Sequence, residues 1–317
     1  MTTLRIGTRG SQLALYQANA TATLLRERCG VDSEVVVIKT SGDRLAEALL
    51  SEIGGKRLFV KEIEDALLAG TVDLAVHSSK DMPAVLPDGL DIAAVLPRED
   101  PRDALVLPTR SPSDAERLDT VRTRLGATPR IGTSSVRRIA QLAQLFPGAN
   151  FLPIRGNLDT RLRKLDAGDF DVIVLAVAGL RRLGFDPRIS EALSTSDCVP
   201  APGQGIIAIE IRTSDGPTRA LLAALDNPQA AQALAAEREV VRALGGGCQM
   251  PIGAFAETVA ESMILVGLVT SLDGCRRVRA VASGAPTDAR ALGGMVAKDL
   301  LAQGAEEILA EVNQGPA

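Results

Sequence analysis

The tetrapeptide RIGT occurs twice, at 5–8 and 130–133, and both times it leads from an apolar strand pattern into a helical one. RIGTRGSQLALYQ (5–17) and RIGTSSVRRIAQLAQLF (130–146) share the order strand, Gly-Thr, serine, helix. A second pair echoes further on: LLAGTVDLAV (67–76) and LDAGDFDVIVLAV (165–177). Between them, strand patterns at 4–8, 35–39 and 72–79 alternate with helical patterns, Leu13, Tyr16, Ala20 and Leu24 keeping one face. This alternation predicts parallel, doubly wound α/β sheets. Two such lobes side by side enclose a cleft at the carboxyl ends of their strands, where open α/β sheets bind ligands.

The Pro- and charge-rich LPREDPRD (96–103) reads as the crossing from the first lobe to the second, and VPAPGQG (199–205) as the crossing back. Lobe one is thus expected at 1–98 with 200–222, and lobe two at 99–199. Past residue 225 an alanine-rich helix (229–244), three apolar strands and two helices predict a small α+β domain over 223–317.

Composition narrows the function. Four scattered cysteines (29, 198, 248, 275) form no C-x-x-C pair, and His77 is the one histidine, which argues against zinc, a disulfide framework and most histidine triads. No metal is expected. Aromatics are 2% and the net charge is −4, so neither stacking platforms nor a basic domain point to nucleic acid. No apolar targeting or spanning segment is read, and a cytoplasmic protein is expected. Between Arg130 and Lys164 the sign reverses, with seven basic residues against the single acid Asp159. That points to a bound anion.

In GTSSVRR, Thr133, Ser134 and Ser135 stand at a helix start, where free N–H groups favour anions. Arg137 and Arg138 follow in the first turn, where the macrodipole disfavours cations unless an anion lies between. Arg155 in PIRGN is read as ending a strand in the same crevice, with Arg161 in the next helix, and Arg9 and Ser11 in the equivalent turn of lobe one. Arginines on both lobes suit a ligand with several carboxylates. Without a Walker motif, a nucleotide is the weaker choice. HSSKDMP (77–83) places Lys80 and Asp81 at a strand end; a carboxylate among cations is suited to steady a developing positive charge. His77 is read as packed. In LGGGCQMPIG (244–253), one glycine would end a helix, but three leave Cys248 on an unshielded backbone before Pro251.

GTRGSQLAL, GGKRLFVKE, AVHSSKDMP, REDPRDA, GTSSVRR, RGNLDTRL, AVAGL, PGQG and GGGCQMPIG, in this order and spacing, resemble the porphobilinogen deaminase (hydroxymethylbilane synthase) family. The match runs from about residue 4 to beyond 253. It implies two lobes like those of periplasmic binding proteins, plus a C-terminal domain carrying a cysteine loop. It implies that Cys248 forms a thioether to a self-assembled dipyrromethane, to which four porphobilinogen units are added, each losing ammonia, before water releases hydroxymethylbilane. Asp81 matches the catalytic aspartate that contacts pyrrole N–H groups and stabilises the azafulvenium cation. Arg9, Arg137, Arg138, Arg155, Arg161 and Arg182 match the arginines for acetate and propionate groups. Ser11, Gln17, Lys80, Thr133, Ser134 and Ser135 match hydrogen-bonding positions. Segment 41–58 matches a mobile loop, with Gly54, Gly55, Lys56 and Phe59 in the lid. Gly10 and Arg57 depart from the common pattern. A monomer acting on porphobilinogen in haem and porphyrin synthesis is implied.

Two other readings use the same residues. One is a non-enzymatic, two-lobed polycarboxylate-binding protein. The other is a Cys–His hydrolase built on Cys248 and His77, which leaves the arginines unexplained.

Overall fold

A computed structural model describes residues 3–41, 60–109, 118–247 and 250–314. Gly54, Gly55, Lys56, Arg57, Phe59 and Cys248 lie outside the described residues.

The first sheet has the order β2-β1-β3-β10-β4, from β1 (Leu4–Thr8), β2 (Ser33–Val37), β3 (Leu74–Ser78), β4 (Leu90–Val95) and β10 (Ile207–Arg212). Helix α1 (Gln12–Cys29) covers one face, where Ala18 and Leu25 meet Ile6, Leu74 and Val76. Helix α2 (Lys61–Leu68) covers the other with Ile63 and Leu67. Burial on both faces accounts for the near-continuous apolar runs of the strands.

The second sheet repeats this as β7-β6-β8-β5-β9, with β5 (Asp103–Val106), β6 (Arg130–Gly132), β7 (Asn150–Leu152), β8 (Val172–Ala176) and β9 (Glu191–Ala192). Leu105, Val172 and Val174 face α3 (Leu118–Leu125) and α4 (Val136–Leu145). Val106, Ile173 and Leu175 face α5 (Leu158–Asp166) and α6 (Val177–Arg182). The alternation follows the two-residue period of a strand.

Neither sheet is wholly parallel, contrary to the sequence expectation. In the first, β10 runs antiparallel between β3 and β4; in the second, β5 runs antiparallel between β8 and β9. Each reversed strand is the first one after a crossing. The chain therefore enters each sheet from the cleft side, against the direction of the strands that end there. Leu96 N donates to Ile207 O (3.0 Å) and Glu99 N to Gly205 O (3.1 Å), so the two crossings run side by side.

Past α7 (Gly216–Leu222), α8 (Pro228–Ala243) leads to an antiparallel sheet, β11 (Ile252–Val259), β12 (Ser262–Thr270) and β13 (Arg277–Gly284), backed by α9 (Ala289–Ala302) and α10 (Ala305–Gln314). Val240, Leu265, Leu292 and Val296 form its core. Its opposite face sets Phe255 and Leu268 against Val199 of the second crossing. Gly245 ends α8 at φ +64°, as a helix stop requires. Among the described residues, no helix is long and apolar enough to cross a membrane.

Candidate active site

Between the two lobes lies a cavity of about 720 Å³, within the range of small-molecule sites. Seven cations among the described residues line it: Arg9, Lys39, Lys80, Arg138, Arg155, Arg161 and Arg182. Asp81 is the one carboxylate among the described lining residues. Such a donor set fits a ligand bearing several carboxylates.

Each lobe offers a helix start to this cavity. Ser11 caps α1 by accepting from Ala14 N (3.3 Å), and Ser135 caps α4 by accepting from Arg138 N (3.4 Å). Thr133 accepts from Ser135 N, while Ser134 Oγ donates to Ile154 O (2.9 Å) and accepts from Ile154 N (3.1 Å). These hydroxyls pin the turn, and of the three only Ser134 lines the main cavity. Arg155 does not end a strand as expected: β7 stops at Leu152, because Pro153 has no N–H for the ladder. Arg155 reaches the cavity from the loop that follows, and Arg161 from the first turn of α5.

The arginine pair behaves differently from its sequence reading. Arg138 donates to Asp103 Oδ1 from Nε (3.0 Å) and Nη2 (2.7 Å), and to Val174 O (2.8 Å). Arg137 Nη1 lies 2.7 Å from Asp103 Oδ2 and donates to Val199 O (2.8 Å). The anion that faces these helix-start cations is therefore, at least in part, the protein's own buried Asp103. Burial opposes its charge, but Arg137 and Arg138 outweigh burial and hold its carboxyl far below the usual range. Arg138 still lines the main cavity; Arg137 does not. Gln17 is also withdrawn: it is buried, and its Nε2 donates to Ser78 Oγ (2.8 Å), fixing the strand end before Lys80.

Lys80 and Asp81 occupy a single 3-10 turn (Ser79–Asp81) directly after β3, and both line the cavity. Burial, reinforced by repulsion from Arg138, pushes Lys80 down to about 8. The same two causes push Arg161 down to about 10, and burial lowers Arg182, which donates to Gly205 O (2.6 Å). Crowded, half-desolvated cations of this kind gain most from an incoming anion. His77 is packed as expected, its Nε2 3.1 Å from Glu210 Oε2, away from the cavity lining.

A smaller cavity of about 90 Å³ adjoins, with Lys80, Ser135 and Arg137 on one side and Arg238, Gly247 and Met250 on the other. Gly247 and Met250 flank Cys248 and Gln249 in sequence. Sequence reasoning missed Asp103 and Gln204, both buried between the lobes. Their signal was present, a lone acid behind REDPR and a glutamine inside PGQG, but nothing local showed that the two crossings meet.

The family model of the porphobilinogen deaminase dipyromethane cofactor binding domain matches residues 4–220, and that of the porphobilinogen deaminase C-terminal domain matches 231–302. The chain belongs to the porphobilinogen deaminase family. Among its relatives, the porphobilinogen deaminase of Syntrophobacter fumaroxidans is 48% identical over 98% of this chain and 97% of its own. That of Acidithiobacillus ferrooxidans is 48% identical over 98% of each chain. That of Trichlorobacter lovleyi is 46% identical over 98% of this chain and 97% of its own. A periplasmic substrate-binding protein from Coxiella burnetii overlays 74% of this chain and 97% of its own at a TM-score of 0.43 and 13% identity. As a family member the protein is a transferase of tetrapyrrole synthesis, and residues 4–220 form its dipyrromethane cofactor binding domain.

Proposed function

We propose that the protein condenses four porphobilinogen molecules in turn, with loss of ammonia, onto a dipyrromethane tethered to Cys248, and releases hydroxymethylbilane by hydrolysis. The observation that carries this reading is the cavity that the described residues line with seven cations and one carboxylate. Each pyrrole unit brings an acetate and a propionate, and the cations suit them. A polycarboxylate-binding protein would use the same cations, but it would have no use for a covalent anchor, and the matches to deaminases span nearly the whole chain.

The residues divide the work. Arg138, Arg155 and Lys80, with the Ser134 turn, hold the carboxylates of the dipyrromethane, which when bound supplies the pyrrole carbon that is extended. Arg9, Arg161, Arg182 and the Ser11 helix start hold those of the incoming substrate. Asp81 accepts from pyrrole N–H groups and opposes the positive charge that develops as ammonia departs. Arg137, Thr133, Ser135 and Gln17 act from behind by fixing Asp103, the α4 start and Ser78. Lobe one (1–98 with 200–222) and lobe two (99–199) form the cleft, and the third domain (223–317) brings the cysteine loop to its rim. Gly54, Gly55, Lys56 and Phe59 serve as the lid. We place the enzyme in the cytoplasm as a monomer.

Intact mass tests the proposal. The purified protein is expected to carry an adduct of two pyrrole units on Cys248, and Cys248→Ala to carry none, make no tetrapyrrole and melt lower, since a bound polyanion stabilises only the folded state. An unmodified protein, or a Cys248→Ala variant with normal turnover, overturns it.

A further inference from the structure

We propose that Gln204 is a positioning residue that keeps Lys80 presented to the cavity, standing as a neutral spacer between its ammonium and the Asp103 carboxylate. Gln204 is 1% exposed and lies on the second crossing. Its Oε1 accepts from Lys80 Nζ at 3.2 Å. Its Nε2 donates to Asp103 Oδ1 at 3.0 Å and to Pro101 O at 2.6 Å. Every hydrogen of the amide nitrogen is thereby used, and a lysine ammonium offers no acceptor. A flipped amide would set NH2 against the ammonium and an oxygen against two oxygens. The orientation is fixed by chemistry alone.

The backbone is held as firmly. Gly203 and Gly205 flank the residue at φ +74° and +90°, and Arg98 Nε donates to Gln204 O at 2.9 Å. Among the described residues both oxygens of Asp103 are already engaged, Oδ1 by Arg138 and Gln204 and Oδ2 by Arg137 and the Cys198 thiol. The amide thus links a lobe-one cation to a lobe-two anion without letting them neutralise each other directly. The charged groups that act on Lys80 are Asp81 on its own turn, Arg137 and Arg138 from α4, and Asp103 from β5. Burial and the arginines outweigh the two carboxylates and leave it titrating at about 8. The amide oxygen is the one neutral acceptor that the described residues show for its charged form.

The experiment uses the full-length protein carrying Cys248→Ala, so that no covalent group can lie against Lys80, and measures the pH dependence of Lys80 acetylation by competitive labelling with acetic anhydride. With Gln204 intact the midpoint is expected near 8. Gln204→Met fills the same space without an acceptor and should lower the midpoint by about one unit or more, the value of a hydrogen bond to a charged group. Gln204→Asn, one methylene too short to span both partners, should lower it likewise, which covers the case in which the methionine variant does not fold. Gln204→Glu keeps an oxygen toward Lys80, so its midpoint should be no lower than that of the parent. An unmoved midpoint in the folded Met or Asn variant, or a fall in the Glu variant as large as theirs, overturns the proposal.

The benefit of Lys80's charge to ligand carboxylates rests on the function proposed above, and a second measurement separates the two. With Cys248 restored, the rate at which cofactor-free protein acquires its dipyrromethane from porphobilinogen, read by intact mass, should begin to fall at a lower pH in Gln204→Met than in wild type. Substrate titration is common to both proteins, so the difference belongs to the enzyme. A shifted labelling midpoint with an unshifted assembly profile upholds the spacer and counts against Lys80 as a contact of the dipyrromethane carboxylates.

Discussion

Asp81 and Asp103 show how two aspartates in one cationic setting come to do different work. Asp81 is exposed at the cavity wall, whereas Asp103 is fully buried and encircled by its own arginines. Asp81→Asn keeps the shape of the turn and removes the charge, so turnover should fall by about a hundredfold or more while melting is unchanged. Steady-state kinetics beside a thermal melt checks both halves. For the arginines the contrast is sharper. Arg155→Leu should impair cofactor assembly or leave partial chains on the protein, seen by mass, and should melt like Cys248→Ala where the cofactor is missing and like wild type where it is carried. Arg138→Leu removes a buried partner of Asp103 and should destabilise by about 3–5 kcal/mol in urea titration. The sign of the acid limb follows from the same pair. The folded Asp103 carboxyl is depressed, so its contribution is present above the unfolded value near 4 and is lost as pH falls below it. Asp103→Asn should therefore flatten the fall of stability from about pH 4 downward.

At the scale of elements, the repeated phrases in the sequence located β1, α1, β3, β6, α4 and β8, because apolar period and helix-start chemistry are local properties, while β4, β5, β9, β10, α3 and α7 carry no repeated phrase and went unread. What the phrases did not show was direction. A buried strand such as DALV (103–106) reads the same in either sense, and only the crossings reverse β5 and β10. Likewise GTSSVRR reads as the site of a bound anion, yet Asp103, the anion that meets both arginines, comes from another part of the chain, beyond the reach of spacing arguments. The crossings are sterically exacting. A Cβ on Gly205 would lie 2.2 Å from the Glu99 carbonyl oxygen, at φ +90°. Gly205→Ala should cost about 2 kcal/mol or more. Gly216→Ala, with open space around its Cβ and an ordinary φ, should be neutral or slightly stabilising. Chemical unfolding of the two variants side by side decides whether the crossings are held by backbone contact.

For the molecule as a whole, Glu237 of α8 is the joint. It is fully buried and accepts from Arg98 Nη1 (2.6 Å), Gly203 N (2.6 Å) and Ala256 N (2.8 Å), so one carboxylate ties the first crossing, the second crossing and the third sheet together. Arg98 also lies over the Phe255 ring at 4.9 Å. Glu237→Ala leaves a largely buried guanidinium without its counter-charge and two N–H groups unmatched and should cost about 3–5 kcal/mol. Faster hydrogen exchange at the Ala256 amide, relative to that at Leu268, would locate the loss at this joint. Equal protection at Ala256 in both proteins would rule it out.

The antiparallel strand in each sheet also sets an order of assembly on the ribosome. All strands of the second sheet fall between Asp103 and Ala192, so that lobe is complete in synthesis before the first one is. The first sheet must wait, with β3 and β4 apart, until residues 207–212 emerge to fill the space between them. For that interval the nascent chain holds a finished domain inserted within an unfinished one, and β3 and β4 present unpaired edges. A chain arrested with residue 200 just clear of the ribosome should therefore resist protease across 118–192 while remaining open to cleavage before residue 96.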